Sequence, residues 1–280
     1  PSGEGATPDG IRATVAGALP RTVARQHGFT LVELVMVIAI AGLVAVLIST
    51  VMSNPLQSFV DQSRRAELVD KASMALNRMA RDIRLAVPNS LTVTGTTLNM
   101  LPIAAAGRYR ANQPGGSGPR LDPPQCTQLG PSCSIDILSP MTENATPHWL
   151  IIYNTAASEL GSVTSPSVIS PKSFTWTTSA LSANLQNFRF KYASPQHRFY
   201  LASEVLQYRC EGGELWRWVS QSLDGSNPSK AKVVDAVSGC SFSYDPGTSS
   251  RSGLVTLRLT LTQDGETITL LQQVHVDNAP

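Results

Sequence analysis

The chain has few charged residues and almost no excess of either sign. Charged residues make up 15% of the 280 positions, and the formal net charge at pH 7 is +2. Proteins that bind the phosphates of nucleic acid concentrate Lys and Arg on one surface. A nearly neutral chain of low charge density does not predict such a surface, so we expect no nucleic acid as a partner.

The sequence also lacks the residue patterns of common catalytic and metal sites. Its four histidines, His27, His148, His197 and His275, are scattered along the chain. They form no H-E-x-x-H pair, and no G-x-S-x-G nucleophile motif occurs. We therefore expect no enzyme activity, no metal and no cofactor.

Cysteine is scarce, and no two cysteines form a C-x-x-C. Cys126, Cys133, Cys210 and Cys240 all follow the longest apolar run. An even number in this part of the chain predicts two disulfides in an oxidising compartment, with three possible pairings. Proximity along the chain favours Cys126 with Cys133 and Cys210 with Cys240. A four-cysteine zinc site is the alternative, but it usually requires closely spaced cysteine pairs.

The longest apolar run extends from Phe29 to Met52 and contains one charged residue, Glu33. As a helix, these roughly 24 residues cover about 36 Å, enough to cross a hydrocarbon core of about 30 Å. A cleavable secretory signal is the main alternative, because Ala39–Ala41 form a small-residue A-x-A. The apolar run continues well beyond that site, so we favour a single membrane-spanning helix.

Glu33 needs a partner in such a segment. An ionised carboxylate within the membrane costs about 2.5 kcal/mol or more, and the segment contains no cation. If the chain were cut after Gly28, Phe29 would carry a free α-amine about one helical turn from Glu33. That amine, from the same chain or from a neighbouring copy, would neutralise the carboxylate.

At these residues, Gly28, Phe29 and the Thr-Leu-Val-Glu of positions 30–33, the chain resembles the type IV prepilins and pseudopilins. The resemblance implies that a prepilin peptidase cleaves between Gly28 and Phe29 and methylates the new N-terminus at Phe29. It also implies that Glu33 guides the packing of one subunit against the next. The implied partners are the peptidase, other minor pilins and the major pilin, the inner-membrane assembly platform and the lipid bilayer.

Three further segments, residues 68–90, 237–262 and 265–280, are similar to minor pilins of the mannose-sensitive haemagglutinin (MSHA) type, which resemble the J-type pseudopilins and the W-type minor pilins. This resemblance implies a subunit that initiates or caps assembly of a type IV pilus. It places the protein in the bacterial inner membrane as a single-pass protein with a periplasmic C-terminal domain, and later in the pilus at the cell surface.

After the membrane segment, Pro55 predicts a kink or a short melted stretch between Ser49 and Pro55. An amphipathic helix follows and ends before Pro88. Its apolar residues recur at spacings of mostly three and four and should dock on a C-terminal sheet. These residues are Leu56, Phe59, Leu68, Ala72, Ala75, Leu76, Met79, Ile83 and Val87.

From Asn89 onward the pattern changes to that of strands. Residues 91–101 predict a hairpin that turns near Gly95, and residues 105–135 predict a long surface loop. Residues 254–262 and 266–276 predict a closing hairpin that is central to the sheet. Short aromatic and β-branched runs predict further antiparallel strands at residues 149–153, 174–176, 188–192, 199–201 and 215–219.

Together these patterns predict an α+β fold in which a long N-terminal helical spine packs on a mostly antiparallel β-sheet head with long loops. Its first half spans the membrane and its second half is amphipathic. The predicted regions are a leader at 1–28, a transmembrane helix at 29–53, an amphipathic helix at 54–88 and a β-rich periplasmic domain at 89–280. The alternative is a membrane-anchored periplasmic or surface protein with an adhesive or binding function, which would need neither cleavage at Gly28 nor Glu33.

Overall fold

The structure is a computed structural model, and its fold is α+β, as predicted. One long helix precedes a head built from mostly antiparallel sheets. All of the predicted leader except Gly28 lies outside the described residues. The structure describes the backbone of residues 28–113, 118–126, 133–248 and 251–280, and within these ranges it describes all side chains except those of residues 52–57.

The α-helix, α1, extends from Leu31 to Arg84 and is continuous through Pro55. The prediction of a melted stretch between Ser49 and Pro55 is therefore wrong. A proline removes only its own amide donor, and the hydrogen bonds on either side can hold the helical backbone together. The chain divides into two compact units after Gln57, so α1 contributes to both.

In the second unit, α1 buries an apolar stripe in the core of the head. The stripe begins at Leu68, whereas Phe59 is 71% exposed. The predicted docking is thus confirmed from Leu68 to Ile83 and is wrong for Phe59. The side chain of Leu56 lies outside the described residues, and Val87 is buried but follows the end of the helix at Arg84. The buried helical residues are Leu68, Ala72, Ala75, Leu76, Met79, Ala80 and Ile83.

The strands of the described residues are numbered in chain order. They are β1 (Thr92–Thr94), β2 (Thr97–Met100), β3 (Ala105–Arg108), β4 (Gln125–Cys126), β5 (Cys133–Asp136), β6 (Asn144–Ile151), β7 (Phe174–Trp176), β8 (Ala180–Ala183), β9 (Phe188–Arg189), β10 (Arg198–Ala202), β11 (Val205–Glu211), β12 (Glu214–Ser220), β13 (Ser229–Val234), β14 (Val237–Asp245), β15 (Gly253–Gln263) and β16 (Glu266–Val276). A short 3-10 helix, Ala157–Gly161, follows β6.

These strands form four antiparallel sheets. A five-stranded sheet, in the order β1-β2-β11-β12-β13, and a three-stranded sheet, β14-β15-β16, enclose one core with α1. A six-stranded sheet, in the order β3-β10-β6-β7-β8-β5, and the pair β4-β9 enclose a second core rich in aromatic side chains. The head therefore has a helix-packed half and a half made of strands and loops.

The two predicted hairpins are present. β1 pairs with β2 around Gly95, and β15 pairs with β16 over their full lengths. However, β16 lies at an edge of its three-stranded sheet, so the prediction that the whole closing hairpin is central is wrong. The predicted loop at 105–135 is also wrong in part, since β3, β4 and the start of β5 lie within it. These strands are short and pair with distant ones, which local sequence patterns do not reveal.

A polar contact links α1 to the five-stranded sheet. The hydroxyl of Tyr208 donates to Asp82 Oδ2 at 2.7 Å, and Arg217 Nε donates to the same oxygen at 3.1 Å. Burial, and then the hydrogen bond to Asp82, raise the pKa of Tyr208 above its ordinary value, so the phenol stays protonated and can donate. The contact fixes the angular position of the helix on the sheet.

Two disulfides join the cysteines that are nearest along the chain. Cys126–Cys133 closes a short loop beside β4 and β5, and Cys210–Cys240 joins β11 to β14 across a sequence separation of 30. The second disulfide links the two sheets that enclose the core around α1. It therefore links covalently the two sheets that pack against the helix.

We predict that replacing Cys210 and Cys240 together by serine lowers the free energy of unfolding by about 3–4 kcal/mol, because the unfolded chain regains the entropy of a long loop. The double serine variant of Cys126 and Cys133 is the matched control and should lose less, since its loop is shorter. Urea denaturation of the detergent-solubilised full chain measures both. Equal midpoints for wild type and the Cys210/Cys240 variant, with free thiols in the wild type, would contradict this prediction.

Candidate processing and assembly site

The predicted cleavage site lies just before the start of α1. Gly28, Phe29 and Thr30 precede the first helical residue, Leu31. The side chain of Phe29 is 79% exposed, and a Cβ added to Gly28 would meet no atom within 4 Å. The peptide bond between Gly28 and Phe29 is therefore open to an enzyme and is not held by packing within the described residues.

Thr30 caps the helix. Its hydroxyl oxygen accepts a hydrogen bond from the amide of Glu33 at 3.2 Å, and its carbonyl accepts the first helical bond, from Leu34, at 3.1 Å. A threonine at this position satisfies one of the amides that a helix start leaves unpaired. The cap fixes where the helix begins relative to the cleavage site, and it places Glu33 three residues after the capping residue.

The position of Glu33 in the first turn reduces the cost of its charge. The aligned peptide dipoles give a helix N-terminus a partial positive charge, which favours an acidic side chain there. Glu33 is also only the third residue of the candidate membrane span, Leu31–Val51. The full penalty for an ionised carboxylate applies at the centre of a bilayer and falls towards its surface. The exposed Glu33 side chain makes no ion pair within the described residues, so its charge is available to another group.

The apolar side chains of the helical segment that follows are exposed. Leu31–Val51 has a mean hydropathy of 3.0, and no part of its most apolar window is buried. Water would hydrate every one of these apolar side chains at a cost of about 25 cal/mol per Å². The segment therefore requires lipid or the helices of neighbouring subunits around it.

The other predicted residues lie elsewhere in the head. Each disulfide joins two different sheets of the head, and the three histidines lie at different elements: His148 in β6, His197 just before β10 and His275 in β16. His27 lies outside the described residues. In the part of the chain that the structure describes, no group of three or more His, Cys, Asp or Glu side chains is arranged to hold a metal ion.

Sequence reasoning missed the role of Thr30, although a local signal was present. The pattern T-x-x-E immediately before an apolar run is the signature of a capping box, in which the first residue caps the helix and the last reaches back. Here Thr30 and Glu33 hold those two positions, and the structure shows the threonine half of the box. Glu33 thus occupies the last position of a capping-box pattern.

Residues 23–49 match the family model described as the prokaryotic N-terminal methylation motif. The match includes the predicted cleavage site, the cap and most of the apolar helix. It supports a type IV pilin-like or pseudopilin-like subunit, a structural protein that is anchored in a membrane, processed by a prepilin peptidase and assembled with other pilins. No curated protein and no solved structure significantly matches the chain.

Because the surroundings of Gly28 are open, a larger residue at this position should affect cleavage without affecting the fold. Replacing Gly28 by valine should leave the fold unchanged, because the new side chain meets no neighbour. It should nevertheless block cleavage by prepilin peptidase, whose site must accept the residue before the cut. Gly28→Ala is the matched control and should be processed at least in part. Immunoblots of membranes, in which the precursor migrates more slowly, measure the cleaved fraction; complete maturation of Gly28→Val would refute the assigned cleavage site.

Proposed function

We propose that this protein is a minor pilin that helps to initiate or cap a type IV pilus of the MSHA type, and that it resembles the subunit MshO of that system. The methylation motif at residues 23–49, joined to an uncovered apolar helix, is the observation that carries the proposal. The similarity of residues 68–90 and of the last three strands to MSHA minor pilins supports the finer assignment.

In this proposal prepilin peptidase cuts between Gly28 and Phe29 and methylates the amine of Phe29. The new ammonium group and the Glu33 carboxylate are opposite charges in surroundings of low dielectric constant, where their attraction is much stronger than in water. A carboxylate that has no ion pair within its own described chain is well placed to receive the ammonium group of a neighbouring subunit. The pair would select the axial position at which the new helix joins the fibre.

The proposed division of the chain follows its function. Residues 1–28 are the leader, 29–53 hold the protein in the inner membrane, and 54–88 carry the head, residues 89–280, in the periplasm. Cys126–Cys133 and Cys210–Cys240 stabilise the head in that oxidising compartment. The assembly platform then transfers the protein into the fibre, where its partners are the major pilin and other minor pilins.

Two substitutions of Glu33 distinguish the contribution of its charge from its contribution to the capping box. Glutamine keeps the shape and can still reach back at this position of a helix, whereas alanine cannot. If the charge registers the subunit, Glu33→Gln and Glu33→Ala should both leave cleavage intact and lower incorporation by about tenfold or more, because the neighbouring ammonium group loses its partner in an apolar environment. Quantitative immunoblotting of sheared fibres and of membranes measures the incorporated fraction.

Normal incorporation of Glu33→Gln would contradict the proposed ion pair. The wild-type chain should also be present in sheared fibres at far fewer copies than the major subunit. If the wild-type chain stays entirely in the membrane, the pilin assignment fails and a membrane-anchored adhesive or binding protein becomes the better explanation.

A further inference from the structure

Within the part of the chain that the structure describes, the last strand, β16, has one edge that no other strand pairs with. It extends from Glu266 to Val276, pairs with β15 on one side, and is the outermost strand of its sheet. Within the described residues, no backbone hydrogen bond joins its other side to another element. An edge of this kind presents a row of free amide and carbonyl groups that can pair with a further strand.

The hairpin turn identifies which groups are free. β15 and β16 are joined by the two-residue turn Asp264–Gly265, in which both residues have positive φ, so the closing pair Gln263 and Glu266 exchanges hydrogen bonds. Hydrogen-bonded and non-hydrogen-bonded pairs then alternate along an antiparallel ladder. The backbone groups that point away from β15 are accordingly those of Thr267, Thr269, Leu271, Gln273 and His275.

Side-chain distances agree with this alternation. The hydroxyl oxygens of Thr262 and Thr267 are 2.9 Å apart, and those of Thr260 and Thr269 are also 2.9 Å apart. Side chains approach most closely in non-hydrogen-bonded pairs of an antiparallel sheet. These threonines therefore mark the positions whose amide and carbonyl groups remain free at the outer edge.

β16 also lacks the features by which proteins usually protect such an edge. Proteins block edge strands with lysines, prolines, bulges or short lengths. The edge strand β13 of the neighbouring sheet carries Lys230 and Lys232, whereas residues 267–274 of β16 contain no charged residue, no proline and no glycine. β16 pairs with β15 in an unbroken register, without a bulge. A long uncharged edge that is left unprotected is expected to be paired when the protein works.

The centre of β16 carries an apolar side chain directed to solvent. Leu271 is the middle residue of the strand and is 61% exposed, while Ile268 and Val274 on the opposite face are buried in the core. A strand that joins this edge would gain hydrogen bonds from its backbone and an apolar contact at its middle. The surface therefore favours an uncharged extended segment with an apolar residue opposite Leu271.

We propose that β16 is the docking edge for another pilin-like subunit of the same fibre, which adds one of its own extended segments beside residues 267–275. This inference rests on the proposed function, because assembly into a fibre is what brings the heads of neighbouring subunits together. The chemistry of the edge is strand addition, in which backbone hydrogen bonds give affinity and the side chain at Leu271 helps to set the register. Membrane anchoring of both partners raises their effective concentration at this edge.

Two substitutions at Leu271 test the backbone contribution. Leu271→Pro removes one outward amide that β15 does not use, and proline is tolerated at such edge positions. Leu271→Thr is the control, since it keeps the amide and suits a strand. Both variants should be cleaved and disulfide-bonded like the wild type, but Leu271→Pro should be reduced in sheared fibres by about fivefold, the effect of one lost backbone hydrogen bond, relative to Leu271→Thr.

Equal incorporation of the two variants would overturn the strand-addition proposal while leaving the pilin assignment intact. Absence of the wild-type chain from fibres would instead overturn the proposed function, and the inference would fail with it. The Leu271 variants therefore test strand addition, and the wild-type chain tests the pilin assignment.

A second measurement keeps the test valid if Leu271→Pro does not accumulate. A photoreactive benzophenone amino acid at position 271 of the full-length chain should cross-link, in sheared fibres, to an extended segment of a different subunit that carries a methylated N-terminus. Mass spectrometry identifies the joined peptides. Failure to form an adduct, or an adduct only with lipid or with a second copy of this chain, would overturn the proposed partner.

Discussion

The structure depends on a long apolar helix near its N-terminus. Leu31–Val51 exposes essentially all of its side chains, and its mean hydropathy is 3.0. Burial of such surface is the dominant favourable contribution to protein association, so the helix is stable only in lipid or against other helices. A helix of this kind fits the membrane anchor of a pilin-like subunit, and the chain divides into two compact units after Gln57.

Polar groups near both ends of α1 determine features that its apolar contacts do not: where the helix begins and how it lies on the five-stranded sheet. Thr30 determines where the helix begins and puts Glu33 in its first turn. Near the other end, Asp82 accepts hydrogen bonds from Tyr208 and Arg217 and holds the helix on the five-stranded sheet. Non-directional apolar contacts alone would let the helix rotate or slide on the sheet, and the directional bonds of Asp82 define one arrangement.

The sequence predicts features that depend on residues close together in the chain better than features that depend on contacts between distant residues. The long apolar helix over Leu31–Val51, the apolar stripe from Leu68 to Ile83 and the hairpin of β15 and β16 follow from patterns within short windows, and the structure contains all three. The short strands β3, β4 and β5 were missed because they pair with distant partners. The melted stretch predicted before Pro55 is absent, since a single proline need not interrupt a helix whose hydrogen bonds continue on both sides.

The candidate site shows the same dependence on locality. Gly28, Phe29 and Glu33 lie within six consecutive residues, so their motif is readable from the sequence alone. The capping function of Thr30 is equally local, since the T-x-x-E pattern of residues 30–33 signals it. The open edge of β16 could not be predicted, because the order of strands in a sheet is decided by contacts across the whole head.

The central claim, that the chain is a processed fibre subunit, is tested most directly by its N-terminus in assembled pili. Mass spectrometry of sheared fibres, with proteolysis chosen to preserve the N-terminal peptide, should find a peptide of this chain that begins at Phe29 and carries one added methyl group on its amine. A chain that is found only in the membrane, with residues before Phe29 still attached, would contradict the account.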